Sequence, residues 1–555
     1  MTPGSTPTPT SARATAALRA LPVFLDVPPQ HQARALWVLD TLLAPCGARV
    51  VLERDPTRAP DCALVYAHHP LPDVPTLPAS TRATELFAHD TPLAADAFTE
   101  IGTFAGPVTG AFPMPSEGFA LDFDPIASAF VLLACWDEHT SAERDRYGRL
   151  PYAASVFAAN AALRIEQPAV DAYLRLIHTL VDRRLSDLGQ PPLDEPGWGG
   201  GGAEDGAGRG DGTGGAGASR FAVALTHDID NLKRWTLRGF VATLYRSARA
   251  VRYRRWAALR LEMRDLRRWL FHHLPHGTDP YWTFSQMLGG EDERGASSTF
   301  FVIASHGHKN DGVQPETYAK RIPAALALLR AAAREIGLHG NDRDRTEEAD
   351  LHSDRVDLAV RAGANIAGIR FHYLRCLYHD TLPMLDREGF GYDSSMAFAE
   401  HEGFRCGFSY PFHPYDLANE RPLALLELPL VLMDTSLQGT KYRALDDAAA
   451  LKASIDVLDG VRASGCAVAL LWHNNRFDPV GSAGYDQTYW QLLDWIAERD
   501  GVALSAGELV RRWRERCGEA AAGAPAGASA DAAATAQTDA PPSASGAAGA
   551  SGAAS

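Results

Sequence analysis

Two carboxylates and an imidazole follow a short apolar segment near the middle of the chain. Residues 221–230 read F-A-V-A-L-T-H-D-I-D, so His227, Asp228 and Asp230 come at the end of an apolar run. An apolar run of this length after a glycine-rich stretch is typical of a buried strand. Carboxylates at the end of such a strand lie where α/β proteins bind their ligands. Because Asp is also common in turns, partner residues elsewhere must decide between a site and a turn.

Polar residues also end the other strands predicted in this part of the chain. Candidate strands lie at residues 298–303, 335–339, 366–371, 390–394, 425–431, 467–473 and 502–505, and candidate helices at about 315–334, 347–361, 446–463 and 485–498. This alternation favours parallel pairing, in a barrel or a doubly wound sheet. The polar residues at or just after the strand ends are Asp228, Asp230, His339, Arg370, His372, Asp393, Asp434 and His473. We expect them to share one edge of the sheet.

Four of these segments resemble the motifs of the polysaccharide deacetylase family, the NodB homology domain of carbohydrate esterase family 4. T-H-D-I-D resembles the first motif in its Asp-x-Asp variant, and G-L-H-G at 337–340 resembles the second. G-I-R-F-H-Y-L-R at 368–375 resembles the third, and L-L-W-H at 470–473 the last. The resemblance covers about 220–517 and implies an α/β fold, a distorted (β/α) barrel of about seven strands.

The resemblance implies an activity and a role for each matched residue. It implies a hydrolase of carbon–nitrogen bonds other than peptide bonds, which removes N-acetyl groups from amino sugars with one divalent metal, expected to be Zn²⁺. The implied roles are catalytic base for Asp228, orientation of that base for Arg370, general acid for His473, and metal ligand for Asp230 and His339. The implied substrate-binding residues are Tyr373, Asp393 and Trp472.

One position departs from the family's second motif. That motif normally places another ligand His four residues after the first, and here Arg343 stands there, which cannot bind a cation. A divalent ion held by His and Asp generally needs three protein ligands. The candidates for the third ligand are His372, Asp342 and Asp344. We favour His372, which lies two residues past Arg370 on a neighbouring strand end, over His227, which should face away from Asp228 on an extended strand.

Three other functions fit parts of the same pattern. Haloacid-dehalogenase-like phosphatases also begin with Asp-x-Asp after a strand, but they expect Thr or Val where Leu232 stands and leave His339 and His473 unused. A glycosyltransferase can hold a nucleotide-sugar metal with Asp-x-Asp, although nothing here resembles a nucleotide pocket. The missing ligand also allows a catalytically retired barrel that binds glycan or a partner. Within the hydrolase interpretation, relatives also act on cyclic ureides and imides.

Composition divides the chain into five parts. Predicted are a disordered segment at 1–18, a smaller α/β domain of unknown function at 19–190, a glycine-rich linker at 191–219, the deacetylase-like segment at 220–517 and a disordered Ala/Gly/Ser tail at 518–555. In the second part we expect strands at 21–25, 49–52 and 63–66, with helices at about 30–43 and 170–188. Its W-D-E-H and D-R-Y-G-R stretches resemble an uncharacterised domain that precedes this catalytic domain in one bacterial branch. For W-D-E-H, a packed Trp beside two solvated carboxylates is favoured over substrate contact.

Charge and targeting signals limit the partners. The net charge of the 555 residues is −15, which argues against nucleic acid as the main partner. The first residues contain no secretory signal, and no apolar run is long enough for a transmembrane segment. Seven cysteines without a pattern suggest reduced thiols. We therefore expect a cytoplasmic protein whose carbohydrate substrate is a precursor, with lipid-linked and nucleotide-linked forms both open.

A basic stretch interrupts the alternation of strands and helices. Residues 233–268 contain 12 Lys or Arg but only two acidic residues, with aromatic residues between them. One interpretation is an amphipathic surface for anionic lipid or another acidic partner. The other, which the sequence favours, is an arginine-rich helix pair that the acidic remainder of the protein neutralises.

Overall fold

The structure is a computed structural model that describes residues 18–115, 117–198, 221–271, 279–304, 315–478, 482 and 484–519. The predictions of disorder for the two ends of the chain, and most of the glycine-rich linker, fall outside these ranges. Among the described helices, none combines the length and the apolar character needed to cross a membrane.

The N-terminal segment is built on a parallel sheet covered by helices. Its elements are β1 (Arg19–Asp26), α1 (Pro29–Leu43), β2 (Ala48–Glu53), β3 (Leu64–Ala67), β4 (Thr76–Pro78), α2 (Thr81–Ala88), β5 (Thr99–Thr103), β6 (Gly106–Gly110), α3 (Pro125–Leu133), α4 (Trp136–Thr140), α5 (Val156–Ala159) and α6 (Ala169–Asp187). The sheet has the order β2-β1-β3-β4, and β5 and β6 form a separate antiparallel pair. The three predicted strands correspond to β1, β2 and β3, and the two predicted helices to α1 and α6.

The W-D-E-H segment packs the N-terminal segment against the rest of the chain. Trp136 is fully buried, with its ring edge-on to Phe87 at a centroid distance of 5.0 Å. Glu138 forms a buried ion pair with Arg405 and accepts a hydrogen bond from the backbone N–H of Tyr378 at 2.5 Å. The packing role of Trp136 is therefore confirmed, but the expectation of solvated carboxylates is wrong for Glu138, which is buried because it pairs with Arg405.

The remainder of the described chain alternates strands and helices. Its strands are β7 (Ala222–Ile229), β8 (Ser298–Val302), β9 (Glu335–Gly340), β10 (Gly368–Phe371), β11 (Tyr392–Asp393), β12 (Tyr415–Asp416), β13 (Arg421–Pro422), β14 (Leu426–Glu427), β15 (Leu430–Met433), β16 (Ala467–Leu471) and β17 (Val502–Leu504). Its helices are α7 (Leu237–Arg252), α8 (Trp256–Phe271), α9 (Phe284–Asp292), α10 (Pro315–Ala331), α11 (Glu348–Ala362), α12 (Thr381–Arg387), α13 (Asp434–Gln438), α14 (Asp447–Ser464), α15 (Tyr485–Ala497) and α16 (Ala506–Arg516). The four predicted helices correspond to α10, α11, α14 and α15.

Nine of these strands form one curled parallel sheet. Eight of them follow the order β14-β11-β10-β9-β8-β7-β16-β15, and β17 pairs with β7 as well. β16 runs along one edge of β7, while β17 and then β8 pair with successive halves of the other edge. Every residue of β7 is buried, because a central strand of a parallel sheet is covered on both faces. That burial explains the continuous apolar run before His227.

The strand predicted at 425–431 is two strands at opposite ends of the sheet order. β14 pairs with β11, whereas β15 pairs with β16. The backbone N–H of Leu428 donates to the carbonyl of Asp393 at 2.9 Å, and the carbonyl of Pro429 accepts from Ala469 at 2.8 Å. Pro429 has no N–H, so the pairing on the first side stops there. The two ends of the sheet order thus lie in one short stretch of chain, which is why the sheet is curled.

Candidate functional site

The polar strand ends meet at a pocket on the carboxyl edge of the sheet. The pocket has a volume of about 240 Å³, and its walls include Asp228, Asp230, His372, Tyr373 and His473. All strand pairs of the sheet are parallel, so the carboxyl ends of β7, β10 and β16 lie on one side of it. The sequence prediction of a shared edge is therefore confirmed for these residues.

Alternation along β7 sorts its polar residues onto two faces. Thr226, Asp228 and Asp230 are two residues apart and point toward the site, whereas His227 points the other way. The His227 Nε2 lies 2.8 Å from Glu291 Oε1, in a fully buried pair on the far side of the strand. His227 is therefore absent from the candidate metal centre, as its position on an extended strand predicts.

Asp230, His339 and His372 form a group of donor atoms that could hold a metal ion. One ligand atom from each lies within 4.8 Å of the others. His339 Nε2 is 3.1 Å from Asp230 Oδ1, and His372 Nε2 is 3.6 Å from the same oxygen. Arg343, at the departing position, instead pairs with Asp350 at 2.6 Å. Two imidazole nitrogens and one carboxylate oxygen are a donor set suited to Zn²⁺ and similar divalent ions.

The hydrogen bonds of His339 indicate which of its nitrogens could bind a cation. Its Nδ1 lies 2.9 Å from the carbonyl oxygen of Arg370, which can only accept, so the proton is assigned to Nδ1. The Nε2 lone pair then faces the carboxylates of Asp228 and Asp230. Burial lowers the pKa of His339, but these two carboxylates outweigh it and raise the pKa. The facing acceptors need a positive charge between them, which either a proton on Nε2 or a bound divalent cation supplies.

The two other candidates for the third ligand are occupied elsewhere. Asp342 Oδ1 lies 3.1 Å from Arg375 and 3.4 Å from Arg345. Asp344 is fully buried and accepts a hydrogen bond from the backbone N–H of Asn341 at 2.8 Å. Neither carboxylate belongs to the donor group, so the geometry favours His372.

The buried Asp344 should make the stability of the protein depend on pH. Burial, followed by the nearby Asp354 carboxylate, raises the pKa of Asp344 to about 8. The folded protein then keeps a proton that the unfolded chain loses near pH 4, so the free energy of unfolding falls between pH 4 and 8. The slope is at most about 1.4 kcal/mol per pH unit. Asp344→Asn should flatten this decline in thermal melts at pH 5 and 8; an equally steep decline in the variant would contradict it.

Arg370 is held rigidly beside Asp228. Its Nε donates to the Ser394 carbonyl at 2.7 Å, its Nη2 to Ser394 Oγ at 2.8 Å and its Nη1 to Thr226 Oγ1 at 2.6 Å. The Nη1 also lies 3.5 Å from Asp228 Oδ1, which is buried and accepts no hydrogen bond from the described residues. Burial lowers the pKa of Arg370 and Asp228 opposes this. The fixed guanidinium can therefore orient the Asp228 carboxylate.

The glycines of G-L-H-G allow aromatic rings to pack beside His339. A Cβ at Gly337 would lie 2.5 Å from the ring of Phe301, and one at Gly340 would lie 2.7 Å from the ring of Phe371. These contacts are too close for any other residue without movement of the rings. The motif therefore supplies the candidate ligand His339, and its glycines leave space for the rings that pack around that ligand.

His473 is oriented by a carboxylate to which the sequence assigned no role. Asp434 follows β15, and its two oxygens lie 2.9 and 3.0 Å from His473 Nδ1, while its Oδ2 also accepts from the His473 backbone N–H. Burial lowers the pKa of His473, but Asp434 and then Asp230 raise it to about 9. The Nε2 of His473 faces the pocket, 3.5 Å from Asp230 Oδ2. The role of Asp434 could have been predicted from the sequence, because Asp434 follows a strand that ends beside the strand of His473.

A loop of the N-terminal segment reaches the same pocket. Arg149 pairs with Asp145 at 2.6 Å and donates to the carbonyl of Tyr373 at 2.6 Å, across 224 positions of sequence. The ring of Tyr147 stacks on Tyr373 at a centroid distance of 4.6 Å, and Tyr373 stacks on His372 at 4.0 Å. Tyr373 has a φ of 60°, which is unfavourable for a non-glycine residue. The N-terminal loop thus supports the strained turn that carries His372.

The structure brings only one of the three predicted substrate contacts to the pocket. Tyr373 lines it, but Asp393 and Trp472 do not. Asp393 is fully buried and accepts hydrogen bonds from the N–H and hydroxyl of Ser395 at 2.8 and 2.7 Å. Trp472 is also fully buried, with its ring 5.6 Å from that of Tyr489. Side chains with no exposed surface cannot touch a substrate in this conformation, so these two serve packing.

Comparison with solved structures finds weak overall likenesses to part of the chain. A Mycobacterium smegmatis protein described as a polysaccharide deacetylase is 19% identical, with a TM-score of 0.36, and the match covers 54% of this chain and 93% of that one. The PuuE allantoinase is 15% identical with a TM-score of 0.36, covering 54% and 91%. A Pseudomonas aeruginosa PAO1 protein described as a polysaccharide deacetylase is 15% identical with a TM-score of 0.34, covering 54% and 92%.

Sequence comparisons add one match, in the N-terminal segment. Residues 27–186 match a family model whose description is a family of unknown function, DUF7033. This match agrees with the resemblance of that segment to an uncharacterised domain. No curated protein matches the chain.

Proposed function

We propose that the protein is a metal-dependent hydrolase of carbon–nitrogen bonds other than peptide bonds, and that it removes the N-acetyl group from an amino sugar. The observation that carries this proposal is the convergence of a cation-binding group with a candidate base and a candidate acid. Asp230, His339 and His372 form the candidate cation-binding group. Asp228 Oδ2 lies 3.7 Å from His339 Nε2, and His473 Nε2 lies 3.5 Å from Asp230 Oδ2. A phosphatase of the haloacid-dehalogenase type would have no use for these imidazoles.

The chemistry follows from the residue types and their partners. A divalent cation, for which zinc is our candidate, would polarise the acyl carbonyl and acidify the attacking water when bound at this group. Asp228 takes the proton of that water, and Arg370 orients the Asp228 carboxylate for this step. His473 donates a proton to the departing amine, and the Asp434 carboxylate at its Nδ1 raises its pKa and so favours the charged imidazole that this step needs.

Free cations at the pocket support an anionic carbohydrate precursor as the substrate. Arg146 and Lys441 both line the pocket, and neither forms an ion pair with a carboxylate among the described residues. The Arg146 guanidinium lies 4.5 Å from the ring centroid of Tyr147, which holds it at the pocket wall. A phosphate, from a nucleotide-linked or lipid-linked sugar, is the anion that such a pair of cations suits.

Acetate release from a panel of N-acetylated sugars tests both the deacetylase activity and the preference for an anionic substrate. We expect metal-dependent release from N-acetylglucosamine derivatives, and a higher kcat/KM for the 1-phosphate than for the 1-O-methyl glycoside. Arg146→Gln should raise KM for the phosphate about tenfold with little change in kcat, since it removes one charge-assisted hydrogen bond. Arg82→Gln, an exposed Arg that does not line the pocket, makes the same charge change as a control.

The same panel separates the alternatives when it is extended to a cyclic ureide and a cyclic imide and when the metal content of the protein is measured beside turnover. Release from no acetylated sugar, with turnover of a cyclic ureide or imide, would replace deacetylation by an amidohydrolase activity. Absence of a bound divalent ion and of any turnover would favour a retired barrel. Equal kcat/KM for the phosphate and the methyl glycoside would contradict the preference for an anionic substrate but would leave the proposed deacetylase activity intact.

A further inference from the structure

The helical hairpin formed by α7 and α8 turns its large apolar side chains toward solvent. Of the sixteen large apolar side chains that are exposed in the described structure, ten lie on this hairpin. They are Leu237, Val241, Leu244, Tyr245, Val251, Tyr253, Trp256, Leu261, Met263 and Leu270. Such a concentration on one short segment marks an interaction surface, since single exposed apolar residues are normally scattered.

The spacing of these side chains makes continuous stripes. On α7 they run from Leu237 to Val251 through Val241 and Leu244, at intervals of four, three and seven residues. On α8 they run from Trp256 to Leu270 at intervals of seven. Residues at these intervals share one face of a helix.

The buried side chains that the structure describes on α7 are small or polar instead. Thr243, Ser247 and Ala250 are the buried residues of α7. The contact between the two helices includes an ion pair, in which Arg246 Nε lies 2.5 Å from Glu262 Oε1, and Arg246 also donates to Thr243 at 2.9 Å. A hairpin that buries polar side chains and exposes apolar ones has the arrangement expected where the outer medium is itself apolar.

The charge of the hairpin selects the chemistry of its partner. Seven exposed arginines of the hairpin form no ion pair with a carboxylate among the side chains that the structure describes. They are Arg249, Arg252, Arg254, Arg255, Arg260, Arg264 and Arg267. Among the described side chains, these seven arginines lack the carboxylate partners that the interpretation favoured by the sequence expects. Two hairpins of two copies would also repel each other, because residues 233–268 hold 12 basic and two acidic residues.

We propose that the α7–α8 hairpin is a docking surface for an anionic lipid bilayer. The apolar stripes would enter the boundary between headgroups and acyl chains, while the arginines contact the anionic headgroups. Tyr245, Tyr253 and Trp256 are of the residue types that favour this boundary. Docking of the hairpin would determine where the protein acts, independently of the reaction in the pocket.

Flotation of the full-length protein with vesicles tests this proposal. Wild-type protein should float with equimolar phosphatidylcholine and phosphatidylglycerol, and far less with phosphatidylcholine alone. Added salt should weaken the binding, because exposed charges are screened. The double variant Val241→Ser/Trp256→Ser should reduce partitioning into the anionic vesicles by about tenfold or more.

Val360→Ser provides a matched control, because Val360 is as exposed as Leu237, at 77% and 76%, but lies on α11. That variant should float like the wild type. Circular dichroism melts establish that both variants remain folded. Equal binding to neutral and anionic vesicles, no binding to either, or unchanged flotation of the double variant would overturn the proposal. The proposal would also be overturned if sedimentation velocity showed a dimer that the double variant abolishes and the wild-type protein did not float with vesicles.

Discussion

Replacement of Asp228 by Asn is expected to reduce acetate release by about 10²–10⁴-fold, the usual contribution of a general base. The amide keeps the shape of the side chain but cannot take a proton. Asp228 Oδ1 lies 3.5 Å from Arg370 Nη1, while the donor atoms of Asp230, His339 and His372 remain unchanged in the variant. The divalent ion should therefore stay bound, and metal content measured beside turnover separates lost chemistry from a lost site.

Asp393→Asn is a suitable control for that experiment. Asp393 is also a buried carboxylate at the end of a strand of the same sheet, but it bonds to Ser395 and does not line the pocket. Its substitution should lower the melting temperature but leave kcat close to that of the wild type. Activity of Asp228→Asn close to that of the wild type, in a variant that retains its metal, would refute the assignment of the base.

The strands and their polar ends were predictable because their signals are local. An apolar run followed by Asp, His or Arg identifies both a strand and its carboxyl end, and parallel pairing then brings these ends together. This is how Asp230, His339 and His473 were placed at one edge from segments far apart in sequence. The strand at 425–431 was predicted as one element because periodicity does not show which neighbour each half will pair with.

The wall of the pocket was not predictable in the same way. Tyr147 and Arg149 belong to a polar loop with no periodicity, and only the docking of the N-terminal segment brings them to Tyr373. Burial also decided against Asp393 and Trp472, since their positions at strand ends could not show that neighbouring side chains cover them. On α7 and α8, the sequence shows basic residues with aromatic residues between them, but the side that each of them faces depends on where the hairpin packs.

The largest effect on cation binding is expected from His372→Ala. Burial would raise the pKa of Asp230, yet His372, followed by His339 and His473, lowers it well below its ordinary value. Asp230 is thus an ionised carboxylate facing imidazole nitrogens, and removal of one nitrogen leaves two protein ligands where a divalent ion generally needs three. We expect the affinity for Zn²⁺ to fall by more than about 100-fold. This is more than the decrease in affinity that follows when only a hydrogen-bond partner of a ligand is removed.

Asp342→Ala distinguishes this ligand set from the alternative. Asp342 lies in the loop that follows β9 and is held by Arg375 and Arg345, so the variant should retain its metal although the loop loses those ion pairs. Competition with a chromogenic chelator, followed by elemental analysis, measures both variants without depending on turnover. Loss of the ion in Asp342→Ala together with its retention in His372→Ala would move the third ligand into that loop. The stack of Tyr147, Tyr373 and His372 would then be a support for the pocket wall rather than for the cation.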